Sequence, residues 1–349
     1  MSGVPVAPVP LSLLTVTYPA EFGLQRVQAR SVERFVDPDL LDSVVVVVNS
    51  SPALFRRHAT ELLDAYGALA PRVRVVHRDE VARLPRTTGW RSQQVLKLLA
   101  ARSLHAERVV VLDSKNHFTN RLRPDHFTTL DGRPRVCLTD YRNHPLRPNV
   151  ERVLRYVGLP PAAHLPRFSS TVTPAVLVPE LVRDLVRDVE ARSGRAFAHE
   201  FIARDLTEFP LYAAWMTANG LPTEEVYDTS LTRSATVWPR ACGAADVDEA
   251  FTRADAGVPV VGVHRRALDR MQAPAVAALG AQWGRRGLVD DVGRAAESVL
   301  ALRAEQRRAA FRQRLGETPL AVRARIRRVL TGSGPPGPPV AATPDPATS

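Results

Sequence analysis

The sequence predicts an α/β protein whose first half is a doubly wound sheet, and three observations predict it. Uninterrupted apolar runs of strand length recur along the first 120 residues. Stretches of helical length and amphipathic pattern separate them, as expected of parallel strands buried on both faces by crossover helices. Each run also turns polar at its carboxyl end, the edge at which such sheets bind ligands.

In order, LSLLTVTY (11–18) reads as a strand, GLQRVQARSVERFV (23–36) as a helix and SVVVVVNS (43–50) as a buried strand. PALFRRHATELLDAYG (52–67) is a helix with Pro52 near its start and Gly67 past its end, followed by a strand in RVRVVHR (72–78). GWRSQQVLKLLAARSLHAE then supplies a helix and RVVVLDSK the next strand. After residue 118 the pattern changes, and TTLDGRPRVCLT resembles a hairpin around Asp131-Gly132. VPELVRDLVRDVEARSG sets Leu181, Val182, Leu185, Val186 and Val189 on one helical stripe between Pro179 and Gly194. LTEFPLYAAWMTANG is a further helix with Thr207 as its N-cap, and GVPVVGVHRRAL is a late buried strand ending in His264. The expected organisation is a flexible segment at 1–10, a globular domain at 11–270, an Arg-rich helical extension at 271–330 and a disordered Pro/Gly-rich tail at 331–349.

Composition narrows the function. The chain has 349 residues, 45% of them hydrophobic, and no run of about 18 uncharged apolar residues, so a cytoplasmic protein without a membrane span is expected. Its formal charge of +11 is concentrated at the end: residues 301–330 hold nine arginines against Glu305 and Glu317, a net +7. That segment is either a solvated helical face or a basic arm that touches the inner face of a membrane peripherally. No zinc-finger spacing, RNP-like aromatic signature or G-x-x-G clamp points to specific nucleic-acid recognition. Cys137 and Cys242 are too far apart in sequence to read as a redox or metal motif. Of 47 basic residues only Lys97 and Lys115 are lysine, which singles out two places where a compact ammonium is kept.

Three strand ends are candidate binding positions: Thr15, Thr17 and Tyr18; Asn49; and Asp113, Lys115 and Asn116. On the helix between them, Val95, Leu96 and Leu99 form the apolar side while Trp90, Gln93, Gln94 and Lys97 gather opposite. Such a set can stack on a base or sugar, bond hydroxyls and neutralise a phosphate. It can equally be a partly exposed Trp covered by long polar side chains. The first turn, TYPAEFG, lacks the G-x-G-x-x-G of dinucleotide binding, and no nucleophile-elbow, zincin or P-loop motif occurs.

The combination LLTVTY, VVVVNSS, GWRSQQVLKLLAAR, VVVLDSKNHF, TEFPLYAAWM and VVGVHRRAL resembles a bacterial family of GT-A-like glycosyltransferases found in polysaccharide-related contexts, over residues 11–270. The resemblance implies a GT-A-like doubly wound mixed sheet with helices on both faces, plus a helical C-terminal extension. It implies a nucleotide-diphospho-sugar donor over the first half of the sheet and a glycan or other hydroxyl acceptor at the second. Thr15, Thr17 and Tyr18 would then lie near the nucleotide, and Gln94 and Lys97 near the donor sugar or phosphates. Asp113 matches the first acid of the Asp-x-Asp motif that holds Mn or Mg, and His264 the late metal- or diphosphate-binding histidine. The sequence departs at Lys115, where the motif has its second acid, so donor binding is expected to depend weakly on metal and strongly on the Lys115 ammonium. Glu208 would be the acceptor-side base with Tyr212 beside it, or simply an acid favoured by the helix dipole. The alternatives are a catalytically silent nucleotide-sugar-binding protein and a basic polyanion- or membrane-surface protein.

Overall fold

The computed structural model describes residues 10–289, 291 and 293–312. Residues 1–9 of the expected flexible segment, residues 290, 292 and 313–330 of the Arg-rich extension, and the expected disordered tail lie outside the described residues. Among those described, the strands are β1 (Leu11–Thr17), β2 (Leu41–Val48), β3 (Val73–His77), β4 (Val109–Asp113), β5 (Asn116–Phe118), β6 (Leu138–Thr139), β7 (Phe168–Ser169), β8 (Ala175–Leu177), β9 (Ala235–Val237) and β10 (Val260–Val263).

β1 is buried along its whole length, and its neighbours explain why. It pairs in parallel with β2 on one side and β4 on the other. β2 pairs in parallel with β3, and β8 closes the far edge antiparallel to β4. The sheet, in the order β3-β2-β1-β4-β8, is therefore mixed, with helices on both faces as the sequence predicts. The chain runs outward from β1 to β3 and then returns to β4, so the order reverses between β1 and β4. The Phe22–Phe35 and Pro52–Asp64 helices, on the outward path, pack against each other. The Gly89–Ala101 helix, on the return, packs against β1 and against the Pro179–Ser193, Phe197–Ala203 and Glu208–Ala218 helices. Right-handed crossovers place these two sets on opposite faces and leave a crevice at the reversal.

A second sheet, β5-β10-β9, has β10 antiparallel to β5 and parallel to β9. The Ala244–Asp255 and Ala273–Arg285 helices share its core with Phe251, Leu279 and Trp283, all fully buried. Residues 295–312 are helical, and Leu302 lies so close to Gly23 that a Cβ there would stand 2.8 Å from Leu302 Cγ.

Two local expectations change. The hairpin at Asp131-Gly132 shrinks to one bridge, Thr128 to Pro134, flanked by Thr129 N donating to Arg133 O and Arg135 N to Phe127 O, while Pro134 O turns away to accept from Asp228 N. The Gly89–Ala101 helix is not half solvated: Arg91, Ser92, Gln94 and Lys97 are buried along with its apolar residues. The turn through Asp205, held at φ 56°, brings Leu206, Thr207 and Glu208 over its polar side. No described helix is long and apolar enough to cross a membrane.

Candidate functional site

The parallel registers bring the polar strand ends together. Thr17 is level with Val48 and Val16 with Asp113, while Asn49 N donates to Thr17 O at 2.8 Å, so Thr17, Asn49 and Asp113 open on one edge. Ser114 Oγ donates to Thr17 Oγ1 at 3.0 Å across the β1/β4 reversal. Asn49 faces the start of the Gly89–Ala101 helix, donating to Ser92 Oγ and accepting from Arg78. Thr15 lies deeper, where Oγ1 donates to Gln28 Oε1 at 2.8 Å. Gln28 Nε2 in turn donates to the carbonyl oxygens of Asp113 and Asn116 at 2.7 and 2.8 Å. Thr15 thus shapes the Asp113–Asn116 turn through Gln28 instead of lining the crevice. Asn116, also buried, closes the turn: its Oδ1 accepts from Asp113 N and from Thr173 Oγ1.

Asp113 is the centre of a charge cluster. Lys97 Nζ donates to its Oδ1 at 2.7 Å, and Lys115 Nζ donates to Oδ2, which Thr173 Oγ1 approaches at 3.0 Å. Burial alone would raise the Asp113 carboxyl, but the Lys115 and Lys97 ammoniums outweigh it and hold the group far below the usual carboxylate range. Burial likewise disfavours the charged form of Lys97, whose side chain is 7% exposed, yet Asp113 and Glu208 together raise its pKa above the ordinary value. Both lysines of the chain therefore converge on one carboxylate.

Glu208, 5% exposed, accepts from Lys97 Nζ at 3.3 Å. Burial pushes its carboxyl up, with Lys97 opposing and Asp113 adding to the rise. Instead of the acceptor-facing base expected from the sequence, it is an interior partner of Lys97. Tyr212 does not share a pocket with it: the Tyr212 hydroxyl accepts from Val178 N and bonds Tyr227 Oη at 2.8 Å inside the core. The helix face expected to hold donor is divided. Gln94 and Lys97 are interior, Gln93 is half-buried, and Trp90 is 53% exposed beneath the Arg91 guanidinium. Gln94 Oε1 has no hydrogen-bond partner among the described residues.

His264 ends β10 beside the cluster. Its Nδ1 accepts from Arg266 N at 3.1 Å, and burial, followed by Lys115 and Arg265, lowers its pKa to about 3. The donor set does not fit a divalent cation. Both Asp113 oxygens are held by ammoniums, a lysine stands where the second acid would be, and His264 has one ring nitrogen committed. Among the described residues no group of three or more His, Cys, Asp or Glu could hold a metal. The expected metal pair of Asp113 and His264 is thus not assembled as a site.

Sequence reasoning missed several neighbours. Tyr18 Oη donates to Glu21 Oε1 at 2.8 Å. Burial pushes the Glu21 carboxyl up; Asp113 adds to this while Lys115 and Arg265 oppose it, so these three charges lie within electrostatic reach of Glu21. Glu21 follows a strand end by four residues and could have been found by extending that search. Gln28 was signalled by two glutamines, Gln25 and Gln28, on one side of an otherwise core-facing helix. Thr173, from a loop 60 residues beyond Asp113, left no local signal.

No curated protein matches this chain. Among solved structures it is similar to an active-site mutant of LgtC, at 13% identity over 82% of this chain and 99% of that one, with a TM-score of 0.45. It is also similar to the apo WbbM bifunctional glycosyltransferase, at 12% identity and a TM-score of 0.39, over 74% of this chain but only 46% of the WbbM chain. Mouse xyloside xylosyltransferase 1 matches at 15% identity and a TM-score of 0.37, over 73% of this chain and 97% of that one. A family model described as a family of unknown function, DUF6492, matches residues 7–260, and the chain belongs to that family.

Proposed function

We propose that the protein is a glycosyltransferase that moves a sugar from a nucleotide-diphospho-sugar to a hydroxyl acceptor. The observation that carries the reading is Asp113 with its two lysines at the carboxyl edge of β4, beside the β1/β4 reversal where a doubly wound sheet takes its ligand. The strand motifs LLTVTY, VVVVNSS and VVVLDSKNHF, which resemble GT-A-like enzymes, end on the same edge. In the transfer, the acceptor oxygen bonds the anomeric carbon, the bond from that carbon to the diphosphate oxygen breaks with its electron pair going to the diphosphate, and the acceptor proton is released. Lys115, 13% exposed in its side chain, is the ammonium placed to leave Asp113 and neutralise that diphosphate. Lys97 stays inside and keeps Asp113 ionised while it does so. Arg265, whose charge reaches both Glu21 and His264, adds a second cation on the same side.

A cytoplasmic polysaccharide-related role fits this reading, and so does peripheral contact with an anionic membrane through the basic helix at 295–312. Leu300 and Phe311 are exposed there, and their eleven-residue spacing puts them on one face. The test of the central proposal is a thermal-shift screen of nucleoside diphosphates and nucleotide sugars in EDTA and in manganese. Stabilisation by one nucleotide class with little change between the two conditions is expected; no stabilisation by any of them would overturn the reading.

A further inference from the structure

The crevice has a second wall that carries no charge. From Ser234 to Trp238 burial alternates strictly: Ala235 and Val237 enter the second core, while Ser234, Thr236 and Trp238 stay partly exposed. The period of two along a strand puts those three on one face. Hydrogen bonds show that this face looks toward Asp113. Ser234 Oγ donates to the Thr173 carbonyl at 3.0 Å, and Thr173 Oγ1 lies 3.0 Å from Asp113 Oδ2. The Trp238 ring lies 5.5 Å from the His264 ring, tilted by 36°.

The hydroxyl chemistry can be followed one step further. Ser234 gives its single proton to Thr173, so in the 2.9 Å contact between Ser234 and Thr236 the proton must come from Thr236. Thr236 Oγ1 is then left with lone pairs and no proton to give, an acceptor suited to a ligand O–H. Gly262, level with Thr236 on β10, makes room for it: a Cβ at 262 would stand 2.5 Å from Thr236 Oγ1.

We infer that the Ser234–Thr236–Trp238 face is a subsite for a neutral saccharide, the acceptor side of the reaction, an assignment that rests on the glycosyltransferase reading. The apolar C–H face of a pyranose covers the Trp238 indole, and a sugar hydroxyl donates to Thr236 Oγ1. The two walls divide the work by charge. Lys115 and Arg265 suit a diphosphate, whereas a wall of two hydroxyls and an indole has nothing to neutralise one and suits an uncharged ring.

The experiment places the full-length protein, Trp238→Ala, Trp238→Phe and Thr236→Val on an array of neutral and acidic glycans, with thermal shift by UDP, GDP and TDP measured alongside. Wild type should retain neutral glycans, Trp238→Ala should bind them at least tenfold more weakly, Trp238→Phe should keep part of the affinity, and Thr236→Val should lose several-fold. The nucleotide shift should be the same in all four. Glycan affinity within twofold of wild type in Trp238→Ala would overturn the assignment, as would a wild-type protein that binds a nucleoside diphosphate but no neutral glycan. Loss of glycan and nucleotide together in the isosteric Thr236→Val and in Trp238→Phe would also overturn it, by making the face structural. Neutral glycan binding that is sensitive to Trp238, without any nucleotide shift, would uphold the subsite while removing the glycosyltransferase reading.

Discussion

Replacing Lys97 by Met should destabilise the protein far more than a surface lysine would. The ammonium sits 2.7 Å from Asp113 and 3.3 Å from Glu208 in the interior. At an effective dielectric of about 20, each attraction is roughly 5 kcal/mol before the cost of stripping water from the ions is subtracted. Removing one partner of such a buried group leaves the others uncompensated, at about 3–5 kcal/mol. For a chain of this size that corresponds to a fall in melting temperature of roughly 4–7 °C. The defect should depend on pH, because without Lys97 the remaining influences on Glu208, burial and Asp113, are dominated by ones that raise its pKa. A carboxyl with a raised folded-state pKa holds its proton more tightly in the folded chain, so stability falls as pH rises from the ordinary value toward the raised one. Urea melts of wild type and Lys97→Met at pH 5 and pH 8 should therefore show the larger deficit at pH 8. Adding Glu208→Leu should recover about 1–3 kcal/mol of it. A deficit under about 1 kcal/mol, or one equal at both pH values, would refute the account of Lys97 as a buried bridge.

Lys115→Ala should weaken binding of the stabilising nucleotide at least tenfold in EDTA and, by leaving Asp113 with Lys97 alone, also lower the melting temperature; strict manganese dependence with a Lys115→Ala that leaves nucleotide affinity unchanged would contradict this. Burial lowers His117 to about 4, and its Nε2 accepts from Trp283 Nε1. A depressed histidine contributes stability that is complete above its ordinary pKa of 6.5 and is lost as pH falls toward 4, here about 3 kcal/mol. His117→Gln should flatten that part of the stability profile, and an unchanged acid limb in chemical melts would exclude His117 as its source. Gly262→Ala should cost about 1–3 kcal/mol, since the new methyl meets Thr236, whose branched, hydrogen-bonded side chain has little freedom to move. Adding Thr236→Ala should recover most of the loss in thermal melts; a failure to recover would place the strain elsewhere.

The parallel strands were legible because burial on both faces writes itself as continuous apolar runs, and the carboxyl edge followed from their direction. Asp113 and Lys115 stood out for the same reason, as charges ending such a run. Periodicity misjudged the Gly89–Ala101 helix because it cannot say what covers a polar face: here residues 206–208, more than a hundred positions away, cover Arg91 and Lys97. Glu208 was read as facing a substrate when its partner was that lysine. Thr173, Arg265 and the Ser234–Trp238 face could not be read at all. Thr173 reaches Asp113 directly from the loop before β8, while Arg265 and the Ser234–Trp238 face approach it through the second sheet, whose strands of three or four residues carry too little pattern to fix a pairing.

The turn that carries Lys115 is fastened from both ends of the chain. Gln28 holds its carbonyls from the first helix, Val263 N donates to Lys115 O, and Trp283 grips His117 from a helix that begins at Ala273. Residues 11–118 are therefore not a transplantable nucleotide-binding cassette, nor are residues 230–289 an exchangeable specificity module. A chimera that joins either to a foreign other half would have to carry the matching rivets with it, and variation in this protein should pass through the crevice walls before it passes through the recombination of halves.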